Sequence, residues 1–205
     1  MTVKTISQSG SADYTGVVDG NLQEGSPTTS FTTLRPGNTT GDRRHGFMKF
    51  TGLSNITGPV TVSAVTLTIL TDSNAQAGTI GIHKIKSTIV PAQATWNEMS
   101  TGVSWSSIGG YNSTDIDTTP LQTITTTATN YTQYVFATSA SFVALVEGWI
   151  NGTVANNGIL LTGIPESTGS GFACGISDSV SANVDSPLLT VTYTAGGGGS
   201  SDPVS

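Results

Sequence analysis

The sequence contains one cysteine and two histidines, the side chains best suited to nucleophilic or acid–base chemistry. A thiol becomes a nucleophile when a neighbouring base removes its proton, so Cys174 with His45 or His83 could form such a pair. The segment GFACGIS (171–177), however, places Cys174 in the middle of a predicted strand, and a lone cysteine is usually a small buried apolar side chain. We therefore predict no nucleophile here and a protein that is not an enzyme.

Acidic side chains suggest two further sites. Asp115 and Asp117 would share one face of an extended segment and could bind Ca²⁺ together with backbone carbonyl groups. Calcium loops collect more oxygen ligands than two carboxylates, so a solvated turn is the simpler interpretation. Glu98 and Asp178 could act as the acid and base of a glycosidase, but the distance between the carboxylates decides that mechanism and the sequence does not set it. We predict neither a metal nor a cofactor.

Aromatic and arginine side chains are better candidates for recognition. Trp105 and Tyr111 lie in VSWSSIGGYNST (103–114), whose Ser and Gly content indicates a loop, and an exposed ring there could stack on a sugar or anchor a partner. The alternative is that Trp105 is buried as a plug at one end of the fold. Arg43 and Arg44 are adjacent, and all seven basic residues lie in the first 86, which indicates either a basic patch or chance. Ligand or surface recognition is predicted at these four residues.

Charge and hydropathy exclude two classes of partner. The 205 residues carry 13 acidic and 7 basic side chains, a net charge of −6, whereas proteins that bind nucleic acid need many Lys and Arg to neutralise phosphates. No apolar run approaches the ~20 residues that span a membrane. The first residues, MTVKTISQSG, have no apolar core, so we predict no secretory signal peptide. We expect neither nucleic acid nor a membrane as a partner.

Apolar residues alternate with polar ones along most of the chain, which is the pattern of short strands separated by turns. β-branched residues are abundant and only 10% of the residues are charged, as is typical of all-β proteins. In VTVSAVTLTIL (60–70), the alternation that begins with Val60 and Val62 shifts by one residue before Val65, which predicts a β-bulge or a bend between sheets. Further strands are predicted at residues 45–50, 79–86, 131–137, 158–162, 171–177 and 188–194.

One segment has the periodicity of a helix. In SASFVALVEGWING (139–152) the apolar residues recur at spacings of three and four, which predicts an amphipathic helix at about residues 139–151. Ser139 or Ser141 can cap its start, and Gly152 can take the left-handed conformation that ends it. We expect this single short helix to cover one end of a two-sheet sandwich.

These elements indicate one domain at residues 13–194, preceded by an N-terminal arm or first strand at 1–12. The tail at 195–205 has four consecutive glycines and gains little by packing on its own domain. Fixing each backbone residue costs roughly 1–2 kcal/mol, so an ordered tail needs contacts with another chain to offset that cost. We therefore predict a homo-oligomer. The predicted subunit contacts are Gly196, Gly197, Gly198, Gly199, Asp202 and Pro203.

Six stretches resemble one known family, in the family's order and over most of residues 13–194. They are SPTTSFTTLRPG (26–37), RRHGFMKFTGL (43–53), TVSAVTLTIL (61–70), TWNEMSTGVSW (95–105), YTQYVFATSASFVALVEGWINGTVANNGILLT (131–162) and SPLLTVTY (186–193). Together they are similar to the DNRLRE-domain family, also described as carbohydrate-binding module family 96. The resemblance implies a jelly-roll β-sandwich with one helix, of a kind found in bacterial surface and secreted proteins and in phage virions. Some members of the family bind polysaccharides.

Two functions follow as expectations. The first is a non-enzymatic structural protein of a phage virion, either a capsid decoration or an appendage of the head or tail. Such a protein would be made in the host cytoplasm without a signal peptide and would assemble with itself and with other virion proteins. The second is a carbohydrate-binding module of a secreted or surface bacterial protein, with cell-surface polysaccharide as its partner. Fold alone does not decide between them.

Overall fold

The computed structural model describes residues 1–7, 12–26, 34–39, 41–166, 172–176 and 187–196. These residues form fourteen strands, one α-helix and one 3₁₀ helix. The first seven strands are β1 (Thr2–Ser7), β2 (Tyr14–Thr15), β3 (Val17–Gln23), β4 (Gly37–Thr39), β5 (Asp42–Phe50), β6 (Val60–Leu70) and β7 (Gly78–Lys84), with the 3₁₀ helix (Thr51–Asn55) between β5 and β6. The later elements are β8 (Glu98–Ser100), β9 (Val103–Ser104), β10 (Gln122–Thr126), β11 (Gln133–Phe136), α1 (Ala140–Ile150), β12 (Ile159–Ile164), β13 (Phe172–Ala173) and β14 (Leu188–Ala195).

Two main sheets enclose the core. One has five strands in the order β11-β6-β14-β1-β2, and the other has seven, in the order β10-β7-β12-β5-β4-β13 with β3 also paired to β5. Within them neighbouring strands run antiparallel except β1 and β2. Leu67 and Val191 of the first sheet and Ile80 and Leu161 of the second are buried in the same hydrophobic cluster. The protein is therefore an all-β, sandwich-like fold, as its composition and alternation predict.

Strand β6 contains the irregularity that its sequence predicts. Its register with β14 shifts between Thr192 and Tyr193, which leaves Ser63 as an extra residue in β6. Because of this bulge, Val62 and Val65 both face the core although they are three residues apart. The shift in alternation therefore marks a bulge within one sheet and not a change of sheet.

Helix α1 also begins and ends close to where the sequence predicts. The Ser139 hydroxyl accepts a hydrogen bond from the Phe142 N–H (3.2 Å) and caps the first turn. Gly152 follows the helix with a φ of 70°, the left-handed conformation that commonly ends one. Leu145 and Trp149, on the predicted apolar face, are buried in the core. No helix in the described part of the chain has the length and apolar character to cross a membrane.

Side chains of the helix cover one edge of β6. Strand β11 pairs with the second half of β6. Along the first half of β6, side chains of the helix provide the hydrogen-bond partners instead. The Glu147 carboxylate accepts from the Val62 N–H (2.8 Å). The Asn151 amide accepts from the Val60 N–H and donates to the Val60 carbonyl (2.9 Å each). An open strand edge invites pairing with other chains, so these bonds protect the sheet as well as satisfy its backbone.

A third layer covers the outer face of the seven-stranded sheet. It is the connection from β7 to β10, residues 85–121, which includes the β8–β9 hairpin. Trp96 and Trp105 of this connection pack with Phe47 of β5 in a second hydrophobic cluster, distinct from the main core. The seven-stranded sheet is therefore covered on both faces.

Both ends of the described chain contact its own five-stranded sheet. Strand β1 lies between β14 and β2 within that sheet. The Gly196 N–H donates to the Pro59 carbonyl of the same chain (2.7 Å), so this residue of the predicted subunit contact has an intrachain partner. The other residues of that prediction, Gly197, Gly198, Gly199, Asp202 and Pro203, lie outside the described residues.

Replacing Trp149 with alanine should lower the free energy of unfolding by roughly 3–5 kcal/mol, the usual cost of truncating a large core aromatic side chain. Trp149 is only 8% exposed and joins the helix to the main core. Denaturant titration measures the change. The control is Ile108→Ala, because Ile108 is 54% exposed and its truncation should cost less than about 0.5 kcal/mol. A loss below about 1 kcal/mol for Trp149→Ala would show that the helix adds little to the core.

Removing the acceptor that the helix offers to β6 should also destabilise the fold. Glu147→Ala leaves the Val62 N–H without its partner, at an expected cost of about 1–3 kcal/mol. Glu147→Gln keeps an acceptor oxygen at the same place and is the matched control. Amide hydrogen exchange at Val62 gives the local readout and should be faster in the alanine variant than in the glutamine variant. Equal exchange rates would contradict the edge-covering role of Glu147.

Candidate functional site

Strand β5 places the two predicted arginines on opposite sides. Successive residues of a strand alternate between its faces, so Arg43 and His45 face the third layer together with Phe47, whereas Arg44 faces the other way. The Arg44 guanidinium is paired with the Asp42 carboxylate two residues earlier (Nε–Oδ2 2.9 Å). The two arginines therefore do not form one basic patch.

Arg43 is held in a partly buried charge network. Its guanidinium donates to both carboxylate oxygens of Glu24 (3.1 Å each) and lies over the Trp96 ring, 5.3 Å from the ring centroid. The Glu166 carboxylate is 3.8 Å away. The hydrogen bond from Arg43 keeps the pKa of the Glu24 carboxyl below its usual value, and the same bond raises the pKa of Arg43. Two acids neutralise this guanidinium, so it does not provide a free anion-binding group.

His45 joins the third layer to the segment that follows β12. The ring is 1% exposed, with Nδ1 2.7 Å from the Gly109 carbonyl oxygen and Nε2 3.1 Å from the Glu166 carboxylate. Both partners are oxygen atoms that accept hydrogen bonds. Each ring nitrogen of His45 is therefore engaged in a structural contact.

His83 and Tyr111 pack against each other beside His45. Burial lowers the pKa of His83 and favours its neutral form. In that form Nδ1 donates to the Asp117 carbonyl (3.0 Å) and Nε2 accepts from the Thr162 hydroxyl (3.1 Å). The Tyr111 ring is edge-on to His83, with centroids 5.4 Å apart, and burial raises the pKa of its phenol. Tyr111 is partly exposed, and its role in recognition stays a prediction.

Trp105 is buried in the third layer and is not an exposed loop residue. It is 5% exposed, and its indole N–H donates to the Thr95 carbonyl (2.9 Å). Gly110 lies so close that an added Cβ would be 2.9 Å from the indole ring. Too little of the ring is open for stacking on a sugar. Of the two interpretations of Trp105, the buried plug fits the structure better than the exposed recognition residue. The ring fills the third layer, however, and not one end of the sandwich.

Asp115 and Asp117 have separate roles. The Asp115 carboxylate is buried and accepts three short hydrogen bonds, whose donors are Ser87 Oγ (2.8 Å), the Ser106 N–H (2.8 Å) and the Asn112 amide (2.6 Å). Burial by itself raises the pKa of Asp115, but the hydrogen bonds outweigh it and the pKa lies below the usual value. The Asp117 side chain is about half exposed. Within the described ranges, no three His, Cys, Asp or Glu side chains are grouped to hold a metal ion.

The remaining predicted side chains are not brought together. Cys174 is buried in the main core, between β13 and the bridge residue Ile176 and not within a strand, and burial raises the pKa of its thiol. Glu98 accepts from the Gly102 N–H in the β8–β9 hairpin (3.3 Å). The acid proposed as its partner, Asp178, lies outside the described residues.

A groove along one flank of α1 is the feature that sequence reasoning missed. It consists of three cavities of about 350, 320 and 140 Å³ that share lining residues. Lys84 and Val154 line two of them, and Asp117, Leu121 and Ser141 line the two larger ones. The lining therefore mixes polar and apolar side chains. The lining residues come from separate segments and are common types, so no local pattern in the sequence could have revealed the groove.

Comparison of the sequence with models of known protein families and with curated proteins finds no match. The resemblance to the DNRLRE-domain family therefore stays a prediction. Support for a function comes from the geometry described above.

Asp115→Asn should make the protein less stable at neutral pH and flatten its response to acid. A carboxyl whose pKa is lowered by folding stabilises the fold above its unfolded pKa, near 3.8, and that contribution is lost as the pH falls through the folded value. The wild-type free energy of unfolding should therefore fall below about pH 4, and the variant should fall less steeply. Urea unfolding at several pH values measures both slopes.

Asp117→Asn is the matched control for this experiment. Its carboxyl is about half exposed, and its ion pair with Lys86 (3.7 Å) should contribute less than about 1 kcal/mol. Parallel pH profiles for the wild type and Asp115→Asn would contradict the assigned role of Asp115.

Proposed function

We propose that this chain is a non-enzymatic structural protein of a phage virion, either a capsid decoration or an appendage of the head or tail, built as a jelly roll. One observation carries the proposal: His45 and His83 of the seven-stranded sheet bond to backbone carbonyls of the third layer, and Asp115 is used within that layer. Both histidines are engaged through both ring nitrogens, and Asp115 accepts from Ser87, Ser106 and Asn112. A catalytic acid or base needs an atom free to reach its substrate, so this use supports a structural role.

The connections between the sheets support the jelly-roll topology. From β6 in the five-stranded sheet the chain crosses to β7 in the other sheet, and from β10 it returns to β11. After α1 it enters β12 of the seven-stranded sheet, and β14 lies again in the five-stranded one. Repeated crossing between two antiparallel sheets is what Greek-key connections produce.

The way the fold is stabilised supports assembly inside a reducing cytoplasm. Cys174 is a free, buried thiol, and two hydrophobic clusters account for the packing of the sheets and the third layer. A protein that folds before a virion leaves its host has to do so without disulfide bonds. The assignment to a phage virion comes from the resemblance of the sequence to the DNRLRE-domain family. The expected partners are then other copies of this chain and other virion proteins.

A carbohydrate-binding module of a secreted or surface bacterial protein is the second candidate, and the groove beside α1 favours it. The two larger cavities have volumes at the lower end of the range for ligand sites. In one of them, Lys84, Asp117 and Ser141 supply polar groups beside the apolar Leu121 and Val154. A polysaccharide would bind in this groove and not on the buried Trp105.

Antibodies raised against the purified chain separate the two candidates. A virion component should be labelled on phage particles in density-gradient fractions of a lysed culture that carries the gene. The label should stay with the particles after a high-salt wash, because stable virion contacts depend little on screened surface charge. The unlysed culture, with intact cells and clarified medium, is the control and should show no surface or secreted label.

Label on cell surfaces or in the medium, together with binding of the purified chain to a polysaccharide array, would contradict the virion proposal in favour of the second candidate. In that case Lys84→Ala should weaken the binding, because Lys84 lines the groove. Lys49→Ala removes a lysine of β5 that lines none of the three cavities, and is the matched control.

A further inference from the structure

The outer face of the five-stranded sheet is built largely of threonine. Every second side chain of β1, β6, β11 and β14 points away from the core, and we call this surface the threonine face. At its centre Thr190 pairs with Thr66 on one side and with Thr5 on the other. In the next row Thr68 lies between Leu188 and Val135.

Three of the four strands of the threonine face carry no charge, although the chain does. Strands β6, β11 and β14 contain no Asp, Glu, Lys or Arg, whereas the chain as a whole has a net charge of −6. In β1, Lys4 is paired in register with the core-facing Val191 and forms an ion pair with Asp13 (2.9 Å). The Asp13 carboxylate also accepts from the Thr5 hydroxyl (3.0 Å), so one neutralised acid lies at the β1 edge of the face. Charged residues are depleted from the centres of protein–protein interfaces, and β6, β11 and β14 share that one feature.

In the part of the chain that the structure describes, apolar side chains of this face are exposed, whereas the corresponding face of the other sheet is covered. Phe47 and Leu160, on the outer side of the seven-stranded sheet, are buried beneath residues 85–121. On the threonine face, Val3 is 55% exposed and Val135 is 50% exposed. A partner that covered the threonine face would bury these apolar side chains.

The size of the face suits a contact of modest affinity. Strand β6 has 11 residues, which at about 3.3 Å per residue gives a length of about 36 Å, and four strands spaced about 4.8 Å apart span about 19 Å. Because β1 and β11 are shorter, the usable area is about 500–600 Å² per copy. Stable interfaces bury about 800 Å² per partner, so one such contact is weak alone and gains strength when an assembly repeats it.

We propose that the threonine face packs against the threonine face of a second copy of this chain. The inference rests on the proposed structural function and names the surface through which copies meet. In a two-fold contact the same patch meets itself, so a charge near the axis would face a like charge, and copies of an acidic chain associate best through a neutral face. Threonine suits such self-pairing because its hydroxyl group both donates and accepts hydrogen bonds.

Thr190→Lys tests the contact because Thr190 lies at the centre of the threonine face. In a self-contact two lysines would meet, so the dissociation constant of the dimer, measured by analytical ultracentrifugation, should rise about tenfold or more. Thr101→Lys is the matched control, since Thr101 is exposed in the turn of the β8–β9 hairpin in the third layer and the change in net charge is the same. This control should associate like the wild type.

Mixing two variants distinguishes a self-contact from a contact with some other surface. Thr190→Lys and Thr190→Glu should each associate weakly alone, and an equimolar mixture should recover association at least as strong as that of the wild type because opposite charges then meet. Thermal melting of each variant at low concentration checks that the monomer is folded. Thr101→Lys mixed with Thr190→Glu should show no such recovery.

Three results would overturn the inference: a wild type that stays monomeric at the highest attainable concentration, a Thr190→Lys variant that associates as tightly as the wild type, or a mixture that does not recover. If the wild type assembles and Thr190→Lys assembles equally well, the contact lies elsewhere and the structural function stands. If antibodies find the chain outside virions while the mixture recovers, the virion function fails and the self-contact stands.

Discussion

Backbone groups along the edge of β6 must find hydrogen-bond partners, and the position of α1 follows from that requirement. Glu147 and Asn151 reach β6 only when the helix lies alongside the strand. Thr138, just before the helix, donates to the Val65 carbonyl in the same way (3.0 Å). With the helix held at this edge, its apolar face directs Trp149 into the core, and another flank forms a wall of the groove. One constraint on a strand edge therefore positions both the core and the groove.

The packing of the third layer has to meet two requirements. It buries the apolar side chains on the outer face of the seven-stranded sheet, and it provides hydrogen-bond partners for the polar and charged groups on the same face. Trp105 supplies buried apolar surface, and its indole N–H finds a carbonyl partner within the same layer. The burial of His45 and the partial burial of Arg43 are offset by hydrogen bonds to Glu24, Glu166 and a backbone carbonyl. Apolar burial favours covering the sheet, while the paired polar groups determine where the layer sits.

Local periodicity predicts the elements of this fold well, because α1 and the bulge in β6 each leave a pattern within about a dozen residues. The third layer leaves no such pattern. Its 103–114 segment has the Ser and Gly content of a loop, and the burial of Trp105 depends on a sheet that other segments build. The side-chain partners of β5 residues are also distant in the sequence, since His45 contacts Glu166, which is 121 residues further along the chain. Sequence reasoning could name the residues of the site but not which of them meet.

The two sheets consequently present different outer faces to solvent. On the seven-stranded side, charges such as Arg43 and Lys86 are paired with acids from other strands or loops, and the third layer covers the apolar residues beneath them. On the five-stranded side, β6 and β14 carry no charges, and Val3 and Val135 of the neighbouring strands are about half exposed within the described part of the chain. Net charge keeps an acidic chain soluble through mutual repulsion, and that repulsion opposes assembly wherever charges face each other. Because β6 and β14 carry no charges, repulsion between copies is weakest along these two strands, which is where the proposed contact lies.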